Sequence, residues 1–325
     1  CGSAASWMVK NIIRNTGGLH NRLTCKLHIS PFSLGECKSY LENKGIRWNY
    51  QTIAECYMIL GGIPYYLQQL DRSLSLSQNI DRLFFNENAL LKDEYDNLYS
   101  SLFKHSDDFL RIVECLFDKR CGLTRDDLTA KINISNGGGL TRKLDELEQC
   151  GFIRKYKPIG GDKYLYQLVD FYTIFYLTFI HKQRFLDEQM WMHLQGSHAY
   201  STWIGLGFER LCFAHVSQIR HALGISGIAT KTFALYTKEA QIDMLIERAD
   251  RAISICEMKW TDNVNYVITK SEATKLQNRI AIARQYYPNR NTLLCMITSS
   301  GLKQNEHSIQ IVQQIVTLNQ LFLAI

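Results

Sequence analysis

The chain has 325 residues, of which 46% are hydrophobic and 21% charged, a balance that supports packed cores and excludes disorder as the main state. Such a length suits roughly two or three domains of about 100–200 residues each. The formal net charge of +6 is compatible with a nucleic-acid partner but does not by itself select one.

The first residues, Cys1-Gly2-Ser3-Ala4-Ala5-Ser6, lack the basic and apolar regions of a signal peptide, and a start at Cys1 instead of a methionine suggests a cut from a longer protein. A helix is expected over Ser6 to Asn15, a strand over Thr24 to Ile29, and a short helix led in by Pro31-Phe32-Ser33 and running through Glu36 to Leu41. Tyr50 to Leu60 reads as an amphipathic helix ended by Gly61-Gly62-Ile63-Pro64, since glycine followed by proline stops a helix.

A helical region from Ile80 to His105 comes next. Then Asp108 to Asp118 places Phe109, Ile112, Val113, Leu116 and Phe117 on one helical face. Thr124 is set to cap a helix with Asp127 at its third position, and Leu140 to Cys150 repeats apolar residues at helical spacing until Gly151. Phe152 to Tyr156 and Tyr164 to Leu168 form a hairpin around Pro158-Ile159-Gly160-Gly161-Asp162. Three helices and a two-stranded wing make a winged helix-turn-helix. Its third helix carries Thr141, Arg142, Lys143 and Asp145, and its wing Arg154, Lys155, Lys157 and Lys163, charges suited to DNA phosphates. Asp145, Glu146, Glu148 and the glycine run 137–139 leave little for reading base edges.

Phe171 to Ile180 is the richest apolar run, yet Tyr172, Thr173, Tyr176 and Thr178 interrupt it and it stops at His181, so no membrane span is expected. Its aromatic stripe reads as core. Beyond it lie a helix over Trp203 to Leu223, strands over Lys231 to Tyr236, Gln241 to Glu247 and Arg251 to Trp260, a helix over Ser271 to Tyr287, a buried strand over Asn291 to Thr298, and a C-terminal helix. This order describes a small α/β layer domain. The ten cysteines and nine histidines are scattered, with no C-x-x-C and no zinc spacing, so the thiols read as small core residues of a cytoplasmic protein.

With a three-residue turn at 248–250, Glu247 faces Arg251, Asp243 faces Ile255 and Gln241 faces Glu257. Gln241, Asp243, Glu257 and Lys259 then share one face, with Asp243 and Glu257 as diagonal neighbours about 7 Å apart. Two carboxylates so placed suit a hard cation such as Mg2+, with the Met258 carbonyl as a third ligand. Lys259 is placed to orient or deprotonate the attacking water, and Glu209 to hold a second cation or its water. An acid and a Glu-x-Lys also decorate many solvated sheet faces. What favours chemistry is the apolar Ile253-Ser254-Ile255-Cys256, which makes the strand central and leaves its charged end to be explained.

Asp243 followed fourteen positions later by Glu257-Met258-Lys259, with Glu209 on the preceding helix, resembles the PD-(D/E)XK nuclease superfamily, although Gln241-Ile242-Asp243 lacks the proline before the acid. The whole order resembles prokaryotic archaeal-type ATPases of the AAA/STAND group. Cys1 to Met8 is similar to their sensor-1 segment, Pro31-Phe32-Ser33-Leu34-Gly35-Glu36 to a P-F-x-x-x-E element, and Gly61 to Leu67 to a G-x-P lid whose proline packs near adenine. The resemblance implies α/β and α multi-domain architecture: a partial ATPase lid, a winged helix-turn-helix and a restriction-endonuclease-like domain. The corresponding segments are an ATPase remnant over 1–72, a helical lid and winged helix over 73–170, an aromatic connecting helix over 171–200 and a nuclease-like domain over 201–325. It assigns catalysis to Glu209, Asp243, Glu257 and Lys259, with Mg2+ on Asp243 and Glu257, and nucleotide contacts to Ser3, Ser6 and Pro64. Arg22 is placed to reach a neighbouring subunit.

No P-loop or Walker B acid occurs, so ATP is expected only in the full-length parent. DNA is the expected partner, with homo-oligomerisation through the ATPase part and no membrane partner. The alternatives are a non-catalytic DNA- or protein-binding regulatory fragment on a degenerate nuclease fold, or a purely protein-binding, antitoxin-like role.

Overall fold

The computed structural model describes residues 27, 29–134, 136–181, 189–237 and 239–325. The expected helix over Ser6 to Asn15, most of the strand over Thr24 to Ile29, and Ser3, Ser6 and Arg22 lie outside the described residues. The architecture is mixed α/β, with helices and two sheets. Two compact units are present, and they do not follow the linear order of the chain. Phe32–Arg72, Lys157–Asp162 and Leu194–Ile325 form one, and Ser73–Tyr156 with Lys163–His193 belong to the other. Among the described residues no helix is long and apolar enough to cross a membrane.

The first of these units begins with α1 (Leu34–Asn43), α2 (Tyr50–Leu60) and α3 (Pro64–Gln68). Ser33 and Glu36 cap α1 reciprocally, so the glutamate of the P-F-x-x-x-E pattern has a local structural role. Helix α2 is buried on nearly every side and ends at Gly61 with φ +65. The segments around Phe32 and Gly62 meet directly: the Phe32 N–H donates to the Gly62 carbonyl at 2.7 Å and the Tyr57 hydroxyl to the Phe32 carbonyl at 2.8 Å.

The other unit contains α4 (Leu76–Ile80), a π-turn over Asp81–Phe85, α5 (Glu94–Leu102), α6 (Ser106–Phe117), β1 (Leu123–Thr124), α7 (Arg125–Ile132), α8 (Gly138–Gln149), β2 (Ile153–Tyr156), β3 (Leu165–Leu168) and α9 (Phe171–Phe179). The short antiparallel sheet has the order β1-β3-β2. Thr124 and Asp127 form the expected capping box on α7. Arg125 pins the α7–α8 turn by donating to Asn136, to the Thr141 hydroxyl at 2.6 Å and to the Gly137 carbonyl at 2.8 Å.

After α10 (Met190–Gln195), the first unit resumes with α11 (His198–Ala214), α12 (Val216–Ala222), β4 (Thr230–Tyr236), β5 (Gln241–Arg248), β6 (Ala252–Lys259), α13 (Lys270–Tyr286), β7 (Asn291–Thr298), α14 (Glu306–Ile311) and β8 (Gln314–Thr317). Its five strands have the order β4-β5-β6-β7-β8, antiparallel through β6 and parallel thereafter. β6 is thus central, as its apolar run predicts. Helix α13 covers one face, where Ala273, Leu276 and Ala283 share a core with Ile253, Ile255, Leu294 and Met296. Helix α11 packs on the other face of β6, where Cys212 lies near Cys256 and Cys295. The loop at Ile159 belongs to this unit: its N–H donates to Ala234 at 2.9 Å and its side chain packs on the sheet core.

Three expectations are corrected. The C-terminal helix is replaced by α14, the strand β8 and a 3-10 turn over Leu318–Phe322, because the Gln-Ile-Val-Thr run finds a parallel partner in β7. The helix over Trp203 to Leu223 is two helices, broken at His215. The turn between β5 and β6 is 249–251, not 248–250, because Arg251 takes the left-handed conformation, φ +64, that closes a three-residue hairpin loop.

The break at His215 has a use. The Leu34 N–H, an orphan donor at the start of α1, donates to His215 Nε2 at 2.9 Å, so Nδ1 carries the proton donated to the Leu211 carbonyl at 2.9 Å. Burial holds its pKa below the usual 6.5, against the opposing pull of the Leu211 carbonyl. Because the unfolded chain binds that proton more readily, stability is full above about 6.5 and falls as the pH drops, by up to about 1.4 kcal/mol per unit. Urea midpoints at pH 7.5 and 5.5 are expected to differ for the wild type and to converge for His215→Gln.

Candidate active site at the end of the central strand

The site grows from the hairpin. The observed pairs Glu247↔Ile253, Leu245↔Ile255 and Met244↔Cys256 leave each residue on its expected face but slide the strands. The pairing ends there, one residue before Asp243 and Glu257, and Ile255 faces Leu245 instead of the expected Asp243. On the other side of β5, Phe233↔Leu245 gives way to Leu235↔Ile242, so β5 carries one extra residue over Asp243 and Met244. A bulge of this kind bends the strand and re-aims side chains, and it falls at the proposed acid.

Gln241 and Asp243 touch as their alternation predicts, with Gln241 Nε2 donating to Asp243 Oδ1 at 2.7 Å. Glu257 is 8% exposed, and both of its oxygens are in ion pairs, Oε1 with Lys259 Nζ at 2.8 Å and Oε2 with Arg279 Nη1. A carboxylate so far from water needs such partners to stay charged. Around them stand Tyr266 and Glu272, with the Tyr266 hydroxyl donating to Glu272. Burial works to raise the Glu272 pKa, but hydrogen bonds from Tyr266 and Thr269 and the Lys259 charge outweigh it and hold it low. Tyr266 is pushed up by burial, by its bond to Glu272 and by the Glu272 and Glu257 charges. On β7, Thr298 is paired in register with Lys259, and its buried hydroxyl has no hydrogen-bond partner.

Glu209 is half-buried on α11, the helix on the opposite face of the sheet from Glu257. Its neighbour Phe208 meets the Trp260 ring at 5.6 Å, just past the end of β6. Among the described residues no three His, Cys, Asp or Glu side chains converge as a metal group. The two acids on the neighbouring strands β5 and β6 are Asp243, bonded to Gln241, and Glu257, paired with Lys259 and Arg279. Hard oxygens in that number fit a divalent cation that keeps several waters and takes its remaining ligands from a phosphate.

Sequence reading missed Arg279, Glu272 and Tyr266. A signal for two of them was present: Glu272, Leu276, Arg279 and Ala283 follow helical spacing, so two charges sit on the stripe of α13 that carries the buried Leu276 and Ala283. Pro64 is exposed at the first position of α3, where a missing N–H costs nothing.

The charges proposed for phosphates are mostly engaged. Lys143 pairs with Asp108 at 3.1 Å, Lys163 with Asp126 at 2.6 Å, and Arg154 donates to Gln167 at 2.6 Å. The Lys155 ammonium lies 4.7 Å from the Tyr164 ring centre, and the Lys155 backbone N–H donates to Glu148 Oε1 at 3.2 Å. Arg142 on α8 and Lys157 are exposed. No family model, curated protein or solved structure matches the chain.

Proposed function

We propose that this chain is the C-terminal part of an ATP-binding AAA/STAND-type ATPase and that its five-stranded unit is a PD-(D/E)XK-type, metal-dependent DNA nuclease. The observation that supports this reading is Lys259 ion-paired to Glu257 at 2.8 Å at the end of the central strand β6, with Asp243 on the adjacent strand β5. In this reading α6, α7, α8 and the small sheet are a winged helix-turn-helix that contacts DNA, with Arg142 as its exposed cation. Phe32–Arg72 is the remnant of an ATPase lid. The parent binds ATP, associates with its own copies through the ATPase part and works in the cytoplasm.

Asp243 and Glu257 would hold a divalent cation such as Mg2+, which neutralises charge on a scissile phosphate and acidifies its bound water. Lys259 Nζ holds one oxygen of Glu257 and keeps further N–H donors for a phosphate oxygen or the attacking water. The bulge in β5 falls at Asp243, where a bend of the strand re-aims its side chain. Glu209 would orient water from the α11 side.

The test is cleavage of plasmid and single-stranded DNA in Mg2+ or Mn2+. The wild type is expected to cut, and an Asp243→Ala/Lys259→Ala double variant to lose at least about 100-fold in rate. Equal cleavage by the double variant sinks the reading. The two cations that neutralise Glu257 favour a second reading, a non-catalytic DNA- or protein-binding ATPase fragment on a degenerate nuclease fold. Salt-dependent DNA binding without cleavage would support that one.

A further inference from the structure

Arg279 has no part in the nuclease reading above, yet its guanidinium is ion-paired with the central acid. Its guanidinium reaches from α13 to Glu257 Oε2 while Lys259 holds Oε1, so one carboxylate of 8% exposure carries two positive partners. Glu272 lies within the field of Lys259, so the two cations serve two carboxylates. A dication approaching Glu257 meets both cations at contact range, and like charges that close in a poorly hydrated place cannot all stay.

The two cations differ in how freely they can leave. Lys259 is two residues from Glu257 on the same central strand, and its backbone is paired on β7 through Lys259↔Thr298. Arg279 comes from the facing helix on a long flexible side chain that is 29% exposed. A guanidinium also offers a planar fork that fits two oxygens of a phosphodiester as well as it fits a carboxylate. The orphan hydroxyl of Thr298, in register with Lys259, adds a hydrogen-bonding group on the same face.

We infer that Arg279 is an exchangeable internal cation: it occupies Glu257 in the metal-free protein, is displaced when a divalent cation binds, and is then released towards the DNA phosphate. The inference rests on the metal-site reading of Asp243 and Glu257. It makes Arg279 a positioning residue with a specific sign, because a competitor for the metal site weakens metal binding, whereas a structural brace for that site would strengthen it.

The experiment is calorimetric titration of Mn2+ into the full chain, wild type and Arg279→Met and Arg279→Lys variants, in the absence of DNA. Arg279→Met is expected to bind Mn2+ about ten-fold tighter than the wild type, and Arg279→Lys, which keeps the charge, to stay within about three-fold of it. If the wild type binds Mn2+ and Arg279→Met binds it equally or more weakly, this inference falls while the metal-site reading stands. If neither binds Mn2+, the metal-site reading falls and takes the inference with it. Should Arg279→Met fail to show a cooperative thermal melt, the decisive measurement moves to the wild type. The arginine Nε–H signal assigned to Arg279 by its loss in Arg279→Lys is expected to shift with the same midpoint as the Mg2+ titration heat. A signal that stays fixed through saturation overturns the exchange.

Discussion

Glu257→Gln is expected to lower the unfolding free energy by about 2–3 kcal/mol and to abolish Mn2+ binding. The amide keeps the shape of the side chain and removes its charge, leaving Lys259 and Arg279 with only the more distant Glu272 as a counter-charge. Removing one partner from a fully buried pair costs about 3–5 kcal/mol. The lower figure applies here because the Lys259 and Arg279 side chains are 37% and 29% exposed, so water offsets part of the loss. Urea unfolding of the two proteins at pH 7 measures the difference. An unchanged midpoint would show that the double ion pair contributes nothing to stability.

Gly62→Ala is expected to be the more disruptive change, with a loss of about 3 kcal/mol or more. A Cβ at this position would lie 2.0 Å from the Phe32 carbonyl oxygen and 2.7 Å from its nitrogen. Both are backbone atoms, held by the Phe32–Gly62 hydrogen bond and by Tyr57, so no side-chain rotation relieves the clash. The adjacent Gly61→Ala is the internal comparison. Gly61 has φ +65 and ψ −171, a backbone region nearly reserved for glycine, but no atom nearer than 3.8 Å to its added Cβ, so its cost of about 1–3 kcal/mol is backbone strain alone. A Gly62→Ala loss below about 1 kcal/mol in parallel denaturation curves would refute the close approach of the two segments. The second glycine of Gly61-Gly62-Ile63-Pro64 therefore has a packing reason independent of any nucleotide.

A local pattern settled many elements. Tyr50–Leu60 and Asn291–Thr298 have the bounds that their periodicity and apolar runs predict. The Thr124 cap and the central position of β6 follow from residue types within a few positions of each other. The shared face of Glu257 and Lys259 follows from strand alternation alone, and their ion pair is its consequence. Where a residue's role depended on a distant partner, the pattern was silent or misplaced. His215 sits where a helix breaks, and its ring accepts from the Leu34 N–H, far away in sequence. β8 forms because β7 is there to pair with it.

What the chain determined by itself about the site was its residue types and their faces: Asp243, Glu257 and Lys259 could be named from spacing, because a period of two is a local property of an extended backbone. Their register could not, since a left-handed Arg251 moved the turn by one residue and set Leu245, not Asp243, opposite Ile255. The bulge over Asp243 depends on how β4 lies beside β5, and the second cation on Glu257 arrives from a helix 22 residues along the chain. Such contacts are set by which surfaces bury each other and by which charges are left inside needing partners. Those are properties of the folded layers, and only the tertiary structure decided them.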